Sequence, residues 1–178
     1  METPRSQTKV AMTYGTMYGL AAAALMLIFY FLDTDVKSKA PQWTGWLLLI
    51  VFIVLGIKSY RDQDLGGHIG YGKSLGTGVL ISIFGSIISG AFTLIFFMFI
   101  APEMIQKILD MSQQQLMDQG MSEDQITIAM EWTRKFMTPT WLFIGSVLGT
   151  TFMGFLLSLI ISIFMKKEQN PFSSNTLG

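Results

Sequence analysis

The fold is decided by the stretch SLGTGVLISIFGSIISGAFTLIFFMFIA, residues 74–101 of the chain. It contains no aspartate, glutamate, lysine, arginine or histidine. A helix needs about 20 apolar residues to cross the hydrocarbon core of a bilayer, and this stretch exceeds that length. Because backbone polar groups find no water in lipid, they must pair within their own segment. The stretch is therefore predicted to be a membrane-spanning helix.

Three further apolar blocks repeat this pattern, at residues 10–32, 43–57 and 141–165. The second block is short, and Lys58 and Tyr60 at its end can extend its reach to the membrane interface. Charged residues make up only 13% of the chain, against about 25% in soluble domains, and they collect between the blocks. We therefore predict an all-α fold, a four-transmembrane-helix bundle that forms a single integral membrane domain over residues 1–178.

The basic residues favour one side of this bundle. Seven lie in the N-terminal leader, the connection between spans two and three, and the C-terminal tail: Arg5, Lys9, Lys58, Arg61, Lys73, Lys166 and Lys167. The opposite side holds eight of the twelve acidic residues and five basic ones, namely Lys37, Lys39, Lys107, Arg134 and Lys135. The positive-inside rule therefore predicts that both termini, including the tail 166–178, are cytoplasmic. The first block exceeds the core of about 7–15 residues in a cleaved signal peptide, so we predict that it is retained.

Small residues recur at intervals of three or four along the spans, which places them on common helix faces. Close backbone approach through such faces is how helices associate in lipid. The residues predicted to pack helices together are Gly15, Gly19, Gly78, Ser82, Ser86, Ser89, Gly145, Gly149, Gly154 and Ser158. Spans three and four are expected to form the tightest pair. An alternative interpretation of the serine-rich face of span three is a polar path for a solute, but no span carries the ionisable residue that such paths usually need.

Residues 102–139 are predicted to form an outer helical hairpin between spans three and four. Apolar residues recur there at helical spacing, Gly120 is a suitable helix stop, and Ser122 with Gln125 makes a capping box for a second helix. Each helix is amphipathic, so the hairpin could pair its own faces, pack on the bundle, lie on lipid or bind a partner. The residues of the possible partner surface are Ile105, Ile108, Leu109, Leu116, Ile126 and Met130.

Several short motifs resemble those of chemical sites, but none has the context that it needs. Residues 67–74 fit the phosphate-binding pattern G-x-x-x-x-G-K-[ST], yet no buried strand precedes them. His68 is the only histidine and the chain has no cysteine, whereas a zinc site needs three or four ligands. Asp62 and Asp64 are close enough in sequence for acid–base work, but carboxylates beside membrane ends are usually solvated. We predict no catalytic residue, no cofactor, no metal and, with zero net charge, no nucleic acid partner.

The order of these parts resembles a bacterial family of small membrane proteins catalogued as domain of unknown function 4199. The resemblance is carried by YG at 14–15 and YGL at 18–20, IKSYR at 57–61, and IGYGKSL at 69–75. It continues with QGMSEDQI at 119–126, AM at 129–130 and FM at 136–137. The resemblance covers nearly the whole chain. It implies a four-span protein of the bacterial inner membrane, without an assigned activity or catalytic residues.

Two functional hypotheses follow from these observations. The first is a non-enzymatic interaction or structural module in the membrane, since a well-specified hairpin accompanies the lack of any chemical constellation. The second is a subunit of a homo-oligomeric transporter or channel for small solutes, based on the polar face of span three. The expected partners are the lipid bilayer and either further copies of the chain or another membrane protein. Capture of a foreign protein favours the first hypothesis, and self-association alone favours the second.

Overall fold

The computed structural model describes residues 4–35 and 38–167. Within them the chain forms α-helices, two π-helical turns and no strand, which confirms the all-α prediction. The six α-helices are α1 (Gln7–Phe31), α2 (Ala40–Ser59), α3 (Tyr71–Ile95), α4 (Glu103–Asp118), α5 (Glu123–Phe136) and α6 (Pro139–Met165). Counting the π-helical turns that continue α2 and α3, the helices long and apolar enough to cross a membrane are Gln7–Phe31, Ala40–Asp64, Tyr71–Ile100 and Pro139–Met165. Two predicted features, Lys37 and residues 168–178 of the tail, lie outside the described residues.

The second span is longer than the predicted block 43–57. Its helix begins at Ala40, with Pro41 in the first turn, where a missing amide hydrogen costs no hydrogen bond. At the other end, the π-helical turn Tyr60–Asp64 carries it past Lys58. A prediction from hydropathy places the end of the span at the first charged residue. The charged side chains of this turn form ion pairs, and the helix continues through them.

Local signals in the sequence define the ends of the hairpin helices. The predicted capping box is confirmed, because the backbone amide of Ser122 donates to Oε1 of Gln125 at 3.1 Å and the Ser122 side chain accepts from the first turn of α5. Gly120 has a positive φ of 74°, which residues with a Cβ rarely adopt. At the base of the hairpin, Thr138 caps α6 and Pro139 occupies its first turn.

Helix α3 lies at the centre of the bundle, where it packs most extensively on α6 and α1 and also contacts α2. Phe96 is buried in one half of the bundle, but most of the large side chains that are fully buried belong to the other half and include Val10, Ile57 and Ile69. That half ends where residues 5 and 64, and residues 69 and 167, are hydrogen-bonded to one another. We call this the terminal end of the bundle and the opposite one the hairpin end. The core is therefore concentrated at the terminal end.

Candidate interaction surfaces

The interface between α3 and α6 is built from small residues on both helices. Gly78 lies against Ser158, and Gly154 lies against Ser82, so closely that a methyl group on either glycine would overlap the serine. One helical turn further on, the hydroxyls of Ser86 and Thr151 are 3.1 Å apart. The serines of these three pairs are fully buried. The predicted packing residues of α3 and α6 at these positions thus meet one another, and α6 occupies the polar face of α3.

A second close contact joins α1 to the other side of α3. A methyl group added to Gly15 would lie 2.7 Å from Cβ of Phe84, and one added to Gly19 would lie 2.6 Å from Cβ of Ile88. The carbonyl oxygen of Gly85 is 2.9 Å from the same position at Gly19. Two backbones therefore approach each other through the G-x-x-x-G interval of α1, as small residues allow in lipid.

The G-x-x-x-G interval of α6 is arranged differently. A methyl group added to Gly145 or Gly149 would meet no atom of another helix within 4 Å. Both glycines border a cleft of about 430 Å³ between α2 and α6, which is also lined by Tyr18, Trp46 and Phe152. Among residues 4–35 and 38–167, these two predicted packing residues therefore have no close contact with a neighbouring helix. Of the remaining predicted packing residues, Ser89 donates its hydroxyl to the carbonyl oxygen of Ser86, within its own helix, at 3.3 Å.

A larger groove of about 780 Å³ lies where α5 meets α6, at the hairpin end. Its walls carry three aromatic rings in sequence. The rings of Trp132 and Phe136 are stacked with centroids 6.2 Å apart, and Trp141 meets Phe136 edge-on at 5.3 Å. The ammonium of Lys135 lies 5.3 Å from the Trp132 ring. Sequence reasoning missed this aromatic surface, although the four-residue interval between Trp132 and Phe136 places both on one face of α5.

The hairpin packs mainly on itself. Leu109 of α4 is buried against Ile126 and Met130 of α5. Ile105 and Leu116 complete this small core, and Ile108 is half-buried. Most residues of the predicted partner surface therefore contact one another. The large apolar residues that the hairpin leaves exposed are Met117, Met121, Ile128, Trp132 and Phe136.

The carboxylates predicted as a possible acid–base pair bind different cations. Asp62 accepts a hydrogen bond from Nε of Arg61 at 2.7 Å. Asp64, whose side chain is only 5% exposed, binds Arg5 through the backbone amide at 2.7 Å and through Nη2 at 2.9 Å. The same guanidinium also donates to Ser59 and Gln63. The contacts of Asp64 tie the N-terminal segment to the end of span two, whereas Asp62 pairs with its neighbour in sequence.

The remaining motifs also have structural roles. Nδ1 of His68 lies 3.1 Å from the carbonyl oxygen of Gly66, in a turn where Gly66 and Gly67 have positive φ. The segment that fits the phosphate-binding pattern pairs by backbone hydrogen bonds between Ile69 and Lys167, and it then enters α3 at Tyr71. Across residues 4–35 and 38–167, no group of three or more His, Cys, Asp or Glu side chains could hold a metal ion.

Comparison with known proteins identifies the family of the chain but assigns it no function. No curated protein and no solved structure matches the chain. One family model matches residues 13–167, which include most of the first span, the other three spans and the hairpin. Four helices long and apolar enough to cross a membrane support a membrane protein. The chain belongs to the family described as protein of unknown function (DUF4199).

Proposed function

We propose that the protein is a non-enzymatic interaction module of the membrane, which binds a transmembrane helix of a partner protein against Gly145 and Gly149 of α6. One observation carries this proposal. In the close contacts between α1 and α3 and between α3 and α6, a methyl group added to the glycine would meet atoms of the neighbouring helix. Among the described residues, no atom of another helix lies within 4 Å of a methyl group added to Gly145 or Gly149. Because lipid supplies no hydrophobic force between helices, small residues that allow close approach are the means by which a further helix would bind.

The charge at the hairpin end favours a foreign partner over a second copy. The connections at that end carry eight acidic side chains against five basic ones, an excess of three negative charges. Side-by-side copies would bring two such surfaces together, and like charges repel within about 10 Å at ordinary ionic strength. A partner with basic residues next to its membrane span would be attracted instead.

The proposed location is the inner membrane, with both termini cytoplasmic. Residues 5 and 167 lie at the same end of the bundle, since Arg5 binds Asp64 and Lys167 pairs with Ile69. All seven basic residues of the leader, the connection between spans two and three, and the tail belong to that end. The positive-inside rule supports placing it in the cytoplasm.

The proposed absence of enzymatic activity is supported by the partners of the candidate catalytic groups. Asp62 and Asp64 are paired with separate arginines, and His68 lies beside a backbone carbonyl in a glycine turn. A general acid or base needs a proton-transfer partner within hydrogen-bond reach of a substrate site. Each of these three side chains is held by a different local contact.

Site-specific photo-crosslinking tests the proposed docking face. A photoreactive residue replaces Phe152, which borders the cleft and is 63% exposed. The control probe replaces Phe164, which is 81% exposed near the opposite end of α6. Whole cells are irradiated, and the crosslinked peptide is identified by mass spectrometry. The expected product joins residue 152 to a membrane-spanning peptide of one foreign protein, and it is absent from the probe at 164.

Two substitutions make this test specific. Gly149→Leu fills the docking face and is expected to reduce the product at least about tenfold, since the partner backbone can no longer approach. Gly45→Leu is the matched control, because Gly45 is also a helical glycine with no neighbour within 4 Å but lies outside the cleft. A product that forms equally in the Gly149→Leu variant contradicts the docking face. A product formed only with a second copy of the chain replaces the proposal with a homo-oligomer.

A further inference from the structure

The aromatic groove between α5 and α6 extends from the hairpin into the depth of the membrane. Its lower wall is formed by Leu142 and Leu148 of α6, a helix that is apolar enough to cross the bilayer. Its upper wall is formed by Trp132 and Phe136 of α5, outside the span. One groove therefore joins the level of the acyl chains to the level of the headgroups. Its volume of about 780 Å³ is within the range of roughly 300–1,000 Å³ that small-molecule sites occupy.

The chemistry of the groove changes along its length. At the α6 level the lining is apolar and largely free of protein neighbours, since Leu148 is 65% exposed and Gly145 has no atom within 4 Å of an added methyl group. At the α5 level Lys135 lies next to the groove, since its ammonium is 5.3 Å from the ring of Trp132, which is one of the lining residues. An ammonium has three donors, so contact with the ring leaves capacity for an oxyanion. Tryptophan is also the side chain that prefers the headgroup level of a bilayer.

We propose that this groove binds one phospholipid of the leaflet at the hairpin end, with an acyl chain between α5 and α6 and its phosphate beside Lys135. An acyl chain gains no hydrophobic free energy by leaving other acyl chains. Retention must therefore come from packing against the three aromatic rings, which contact one another, and from attraction between the phosphate and the ammonium. The groove adjoins the proposed helix-docking face, because Gly145 lines both, whereas Gly149 lines the docking cleft and not the groove.

Quenching of tryptophan fluorescence by bromine-labelled lipid tests this inference on the full chain. A Trp43→Phe/Trp46→Phe variant reports from the groove through Trp132 and Trp141. The complementary Trp132→Phe/Trp141→Phe variant reports from α2, where Trp43 and Trp46 line a groove that shares no residue with the aromatic groove. Each is reconstituted in phosphatidylcholine vesicles that contain increasing fractions of phosphatidylglycerol brominated on its acyl chains. We expect half-maximal quenching of the groove reporter at a mole fraction at least about threefold lower than that of the α2 reporter.

Charge variants of the groove reporter complete the test. Lys135→Gln is expected to raise the half-quenching mole fraction about two- to fivefold, because an ion pair made by an exposed lysine contributes only modestly to binding. Lys107→Gln, which removes the same charge from exposed α4, is expected to leave the curve unchanged. Coincident curves for the two reporters would show only bulk lipid around the protein and overturn the site. The assignment of the phosphate to Lys135 would be overturned if Lys135→Gln left the half-quenching mole fraction unchanged. It would also be overturned if Lys107→Gln raised that mole fraction by the same factor.

Discussion

Replacing Gly19 by valine tests the close contact between α1 and α3. A Cβ at this position would lie 2.6 Å from Cβ of Ile88 and 2.9 Å from the carbonyl oxygen of Gly85, whereas ordinary van der Waals contacts lie at 3.4–4 Å. One of these neighbours is backbone, so side-chain rotation cannot relieve the overlap and the two helices must separate. Overpacking of this kind costs about 1–3 kcal/mol. Valine has a higher helix propensity than glycine, which offsets only about 0.3 kcal/mol of this cost.

The matched control is Gly145→Val, the same substitution at a glycine that has no neighbour within 4 Å. Purified protein in mixed micelles is unfolded with increasing sodium dodecyl sulphate and followed by circular dichroism, which yields the free energy of unfolding. We expect Gly19→Val to lower it by about 1–3 kcal/mol and Gly145→Val to change it by no more than about 0.5 kcal/mol. Equal losses in the two variants would refute the reasoning, because they would show that the contact at Gly19 contributes nothing specific.

The remaining predictions concern polar contacts, and all are measured on the purified protein. Arg5→Gln leaves the buried carboxylate of Asp64 without its cation, so the free energy of unfolding should fall by about 1–3 kcal/mol, and adding Asp64→Asn should recover part of the loss. Ser86→Ala removes the hydrogen bond to Thr151 and should lower the free energy of unfolding by only about 0.6 kcal/mol. A loss above about 2 kcal/mol would contradict the interpretation of this hydroxyl as an ordinary interhelical hydrogen-bonding group. Ser122→Ala should destabilise α5 by about 1 kcal/mol, seen as faster amide hydrogen exchange in its first turn and not in α6.

Much of the fold could be predicted because it follows from local chemistry. Uncharged stretches of sufficient length define spans wherever they occur, and the predicted all-α architecture is confirmed by the four long apolar helices. The hairpin was predictable for the same reason, since a capping box and a glycine turn act over a few residues. The end of span two was not, because its extension depends on Arg5, which is 59 residues from Asp64 in the chain.

The candidate surfaces could be predicted only in part. Gly15 with Gly19 and Gly145 with Gly149 are the same motif in sequence, yet α3 covers the first pair and none of the six described α-helices covers the second. The spacing of small residues predicts that a helix face permits close approach. Whether another helix packs on that face depends on which helices are neighbours in space. The aromatic groove was missed for a related reason, because its two walls come from different helices and appear as a surface only when α5 and α6 meet.

The position of α3 also has a consequence for how the protein is made. One face of α3, at Gly85, meets α1, and another, at Gly78 and Ser82, meets α6. Since α6 is the last span to be synthesised, a nascent chain that has inserted three spans still presents the serines of α3 to its surroundings. The interface between α3 and α6 can therefore form only after α6 has been synthesised, and the hairpin is the stretch of chain made during this interval.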